Sequence, residues 1–238
     1  MRAVPLCLGL LLAAAPAQQR AEKELIVTIS GPELRGGIVS EITWDGGVVM
    51  LQGVFAEPTG ELKAHYFVVP TEQTKLEART TQTDESLEYW RRKSRRVSPT
   101  GLGRIEVVSD TKMPQFGIGD LERRIVEAVN MGGTQTKTEL RLGALVFHER
   151  PGDPPYDGEV WSWSPAKLNR VAYVDAKGDL WVAGADGRDP RRIMRGDFTL
   201  PAWSDDGRTI AVAERKDSGR RWEISLIHLP RELTVPRD

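Results

Sequence analysis

The chain has 238 residues, 39% hydrophobic and 28% charged. That is enough apolar material for one large domain or two small ones, and too much for wholesale disorder. Its 33 basic and 34 acidic residues leave a net charge of −1, which argues against nucleic acid as a partner and against a polybasic membrane anchor, since both need a basic excess.

Met1 and Arg2 precede an apolar run from Val4 to Ala15, and Ala15-Pro16-Ala17 offers the small-x-small pattern of a signal peptidase site. The run is too short to cross a bilayer, so residues 1–17 read as a secretory signal and Gln18 as the first mature residue. The expected location is therefore periplasmic or extracellular. Cys7 is the only cysteine. The mature chain would hold no disulfide and would rely on packing alone. No later segment approaches 18 apolar residues, so no membrane span is expected.

Residues 18–150 read as a β-rich domain with one or two short helices. Leu25 to Ile29, Val48 to Leu51 and Leu62 to Val69 are short apolar, β-branched runs, with Asp45-Gly46-Gly47 as a hairpin turn before Val48. A short helix is predicted from Asp84 through Lys93, with Asp84 as its cap and Leu87, Tyr89 and Trp90 on its apolar side. Arg104 to Ser109 and Leu140 to His148 return to strand patterns. Between them Leu121, Ile125 and Val129 recur every four residues, predicting a second helix that Asp120 caps and Asn130 to Gly133 stop. This region carries no pattern of a recognisable family.

Composition shifts near residue 150, because five of the seven tryptophans lie beyond it. The proline- and glycine-rich residues 151–158 read as a linker. Residues 159–238 then contain an internal repeat. The first copy runs Trp161-Ser162-Trp163-Ser164-Pro165, Val171-Ala172-Tyr173-Val174, Leu180-Trp181-Val182. The second runs Ala202-Trp203-Ser204-Asp205-Asp206-Gly207-Arg208, Ile210-Ala211-Val212-Ala213, Trp222-Glu223-Ile224. Trp163 and Trp203 stand 40 residues apart, a period that suits propeller blades of several short strands. These motifs resemble the TolB-like, WD-related β-propeller repeat over residues 159–238. The resemblance implies two blade-like antiparallel sheets and says little about activity. Propellers need about four to eight blades, so the edges of two blades need cover from the N-terminal strands or from a partner. The expected fold class is thus mainly β, an N-terminal β-rich domain followed by an incomplete propeller.

No residue is assigned as catalytic, cofactor-binding or metal-binding. Gly-x-Ser-x-Gly, phosphate-loop and Gly-x-Gly-x-x-Gly patterns are missing from the sequence. His65, His148 and His228 sit in strand-like runs and read as solvent-facing or hydrogen-bonded. Asp175, Asp179, Asp186, Asp189, Asp205 and Asp206 fall at blade turns and lack calcium-loop spacing; turn chemistry is the first reading and a calcium site the alternative. Arg91-Arg92-Lys93-Ser94-Arg95-Arg96 reads as a solvated face, or as a patch for an acidic partner. Trp44, Tyr89 and Trp90 read as core or helix-packing residues. The expected function is an exported, non-enzymatic binding or scaffolding protein using its blades for protein–protein contact, with self-association through blade edges as a further option. The alternatives are an accessory or degenerate member of a hydrolase-associated propeller family that binds peptide or glycan, or a fragment of a longer propeller.

Overall fold

The structure is a computed structural model that describes residues 20–30, 38–45, 47–56, 59–69, 77–79, 82–112 and 135–236. The signal-like residues 1–17 and the helix predicted over 120–129 lie outside the described residues. Within them the protein is mainly β, with four antiparallel sheets and one α-helix. None of the sheets closes into a barrel.

The first sheet holds β2 (Ile38–Asp45), β3 (Val48–Ala56), β4 (Leu62–Val69) and β5 (Glu77–Arg79) in that order. Gly47, at φ +86°, makes the β2–β3 hairpin that the Asp-Gly-Gly run predicts. Helix α1 (Asp84–Lys93) follows. Its cap is Thr83, not Asp84: the Thr83 side chain accepts from the Ser86 amide at 3.1 Å, and Asp84 sits in the first turn, where its charge suits the helix dipole. The second sheet is β6 (Ile105–Lys112), β7 (Gln135–Leu142) and β8 (Leu145–Pro151), extended at its inner edge by a bridge between Val97 and Arg104. The third is β9 (Trp161–Trp163), β10 (Arg170–Val174), β11 (Leu180–Gly184) and β12 (Arg191–Met194).

The fourth sheet runs β13 (Phe198–Trp203), β14 (Thr209–Lys216), β15 (Arg221–His228), and then takes as its outermost strand β1 (Glu22–Ser30) from the start of the chain. β1 lies antiparallel to β15 from Glu22↔His228 to Ser30↔Arg221. Buried Ile26, Val27 and Ile29 cover Trp222, Ile224 and Leu226. The edge that two blades would leave open is thus covered from within the chain, and strand pairing crosses residues 151–158.

One turn recurs. In the third sheet the Ser164 hydroxyl accepts from the Arg170 amide while the Ser164 amide donates to the Arg170 carbonyl. Ser204 makes the same pair of bonds with Thr209, and Ser98 makes it with Gly103. Ser98-Pro99-Thr100-Gly101 is therefore a third copy of the turn that closes the first hairpin of a blade. In the sequence its marker tryptophan is replaced by Val97, which hides it.

The sheets pack through two apolar cores. Ile105, Leu140, Leu142 and Phe147 of the second sheet meet Trp161, Val171 and Tyr173 of the third. Ile42, Trp44, Val49 and Leu51 of the first meet Leu200, Ala202, Ala211 and Ile224 of the fourth. Glycine is required where sheets approach most closely. Gly207 has φ +77°, and a Cβ there would lie 2.4 Å from Leu168 Cδ1.

Candidate functional site

The first strands of the sheets meet around α1. Trp44 Nε1 of β2 donates to the Ala202 carbonyl of β13 at 3.0 Å. The Trp203 amide of β13 donates to Ser162 Oγ of β9 at 3.0 Å. Trp163 Nε1 of β9 donates to the Arg95 carbonyl at 2.5 Å. The indoles of Trp44 and Trp163 thus tie their strands to neighbouring segments through the N–H, whereas Trp203 is tied through its backbone amide and its Nε1 has no hydrogen-bond partner among the described residues. Trp203 is 1% exposed, as its place in the repeat predicts.

α1 is fastened to three elements at once. The Tyr89 hydroxyl donates to the Trp203 carbonyl. Arg92 pairs with Asp205 and lies over the Tyr89 ring. Lys93 Nζ donates to the Ile42 carbonyl at 2.7 Å. Lys93 is 1% exposed, and burial lowers its ammonium to about 8, opposed by the Glu41 carboxylate. Burial also raises Glu41 above the ordinary carboxylate range, with Lys93 opposing. Glu41 Oε1 has no hydrogen-bond partner among the described residues. Burial raises the Tyr89 phenol far above its ordinary value, with the Asp205 charge adding to the shift. Tyr156 donates to the Ser40 carbonyl beside this pair. With its ammonium enclosed, Lys93 holds the helix to β2; it is placed to act on the fold.

In the six-residue basic run Arg91, Arg92, Arg95 and Arg96 are exposed, as a solvated face requires, and Lys93 and Ser94 are buried. Arg92 pairs with Asp205, Arg95 lies 3.8 Å from Glu88, and Arg96 pairs with Asp157. Lys93 is enclosed because it falls on the inner side of the last helical turn, a placement that depends on β2. Arg91 is exposed. The other polar residues singled out in the sequence hold local structure. His148 Nδ1 lies 3.0 Å from the Val174 carbonyl, and His228 Nε2 lies 2.8 Å from Glu24. His65 is half-buried in β4. Asp175 accepts from the Lys177 and Asp179 amides and from Trp181 Nε1. Asp179 accepts from the Gly196 amide and pairs with Arg192. Asp186 and Asp206 each accept from the backbone amide two residues on, in Arg188 and Arg208. These are the bonds that aspartate makes in turns.

No protein-family profile, curated protein or solved structure matches the chain. Among the described residues no helix is long and apolar enough to cross a membrane.

Proposed function

We propose that this is an exported, non-enzymatic binding or scaffolding protein of the TolB-like propeller type, using the turns of its blade-like sheets for contact with another protein. The observation that carries this reading is the turn built the same way at Ser98, Ser164 and Ser204. A repeated rigid turn on separately packed sheets suits a platform that presents surface residues. The tryptophans, histidines and turn aspartates support it too, since their polar atoms mostly serve to hold that platform together. The signal-like residues 1–17 favour export.

Mild cross-linking in the producing cells, followed by capture of the tagged protein, tests the reading. The expected product is one defined protein partner joined to a chain whose N-terminus, by sequencing, is Gln18 or a close neighbour. A cytoplasmic protein with Met1 intact overturns the export part. Turnover of peptide or glycan substrates by the purified protein overturns the non-enzymatic part.

A further inference from the structure

In three of the four sheets a central strand is buried at consecutive residues: Val49 to Leu51 in β3, Val171 to Val174 in β10 and Ile210 to Ala213 in β14. Successive strand residues point to opposite faces, so each of these sheets is covered on both sides there. β7, the central strand of the second sheet, behaves differently. Thr138, Leu140 and Leu142 are buried, whereas Lys137, Glu139 and Arg141 between them are not. One face of this sheet packs on the third sheet, and the other meets water.

The open face carries charges of alternating sign. Lys137 Nζ lies 3.0 Å from Glu139 of its own strand and 3.0 Å from Glu149 of β8, and Arg141 Nη2 lies 2.6 Å from Glu139. On β6, Glu106 stands opposite Arg141 and Asp110 opposite Lys137, and directly opposed residues of an antiparallel pair share a face. The side chains of Lys137, Arg141 and Glu149 are 49%, 43% and 51% exposed. Hydrogen bonds from Arg141 and Lys137 hold the Glu139 carboxyl below its usual range, and hydrogen bonds to Glu149 and Glu139 raise the Lys137 ammonium. Both signs of charge therefore persist at neutral pH.

The sheets of this protein pack on one another through apolar side chains. A sheet arriving on this face would instead strip water from a row of charges that already pair among themselves. Taking charges out of water without supplying new partners is unfavourable, and charges on exposed strands keep sheets from adding to one another.

We infer that Lys137, Glu139, Arg141 and Glu149 guard the outer face of the second sheet and keep a second copy of the chain from packing there. The guard acts whether or not the turns bind a partner.

The test compares the full chain with two triple variants by sedimentation velocity over a range of concentrations. Lys137→Val, Glu139→Val and Glu149→Val make the face apolar with residues suited to strands. Glu88→Val, Lys167→Val and Glu232→Val change the same number of charges of each sign at exposed positions on separate elements. The first variant is expected to self-associate about tenfold or more tighter than the wild type and the second, with its amide resonances broadening between residues 137 and 149. Melting curves check that the variants fold. Where the first does not, Glu149→Val alone, at an exposed position, takes its place and is held to the same outcomes. A variant as monomeric as the wild type, or an equal rise in the second variant, overturns the guard. So does broadening centred elsewhere, and so does a wild type that itself associates through residues 137–149.

Discussion

The indole of Trp44 donates to the carbonyl of Ala202 at 3.0 Å, joining the first strand of the first sheet to the first strand of the last. Both residues are buried, so the bond forms away from water and its loss would leave a carbonyl without that donor. Trp44→Phe keeps most of the apolar contact and deletes the donor. It is expected to destabilise the protein by about 1–3 kcal/mol. A guanidinium denaturation midpoint equal to that of the wild type would show that the bond contributes nothing.

Trp203 tests the repeat more severely. Its ring is enclosed and its amide is bonded to Ser162, so Trp203→Ala should cost about 3–5 kcal/mol, the range for large aromatic truncation in a core. Arg91→Ala, on the exposed side of α1, should stay within about 0.5 kcal/mol. Equilibrium unfolding of the two variants side by side checks both. Similar values for the two would remove the physical basis of the blade packing.

The Lys93–Glu41 pair sets a dependence on pH. Lys93 has a folded value of about 8 against an ordinary 10.5, so between these values the unfolded chain binds more protons and stability rises with pH. Glu41 has a raised folded value. Its burial penalty is absent below the unfolded value of 4.5 and grows as pH rises through the folded one, so this group makes stability fall with pH. In Lys93→Met the rise above pH 8 should vanish. Urea unfolding of wild type and variant at a series of pH values from 7 to 10 reads the difference, and parallel curves would exclude Lys93 as the source.

The fourth sheet depends on β1. Without it the apolar Trp222, Ile224 and Leu226 lose their cover, and β15 becomes an open edge. Residues 156–238 expressed alone are expected to be insoluble or self-associated. Adding a peptide of residues 20–30 should restore part of the soluble monomer, read by size-exclusion chromatography with light scattering. A soluble, cooperatively unfolding monomer of 156–238 on its own would show that the cover is dispensable.

Much of the candidate site was legible residue by residue. The Asp84–Lys93 helix, the Asp45-Gly46-Gly47 turn and the burial of Trp203 follow from side-chain period and turn chemistry within a few consecutive residues. The turn at Ser98 was legible in part. Ser98-Pro99 parallels Ser164-Pro165, and the missing tryptophan hid the likeness. The basic run was legible only in part, because which of its six residues is enclosed depends on carbonyls and carboxylates brought from Ile42, Asp205 and Asp157.

Sequence alone determined several of the strands, the Asp45-Gly46-Gly47 turn and the repeat at Trp163 and Trp203, since these rest on neighbours along the chain. Leu140 to His148, expected as one strand, is instead a hairpin that turns at Gly143 between β7 and β8. Only the tertiary structure decided that β1 completes the last sheet, that Lys93 is buried beside Glu41, and that Val97 and Arg104 face outward where the other sheets bury their counterparts. The physical reason is common to all three. Strand partners and burial are fixed by which apolar faces find each other across the whole chain, and residues as far apart as Glu22 and His228 leave no local trace of their pairing.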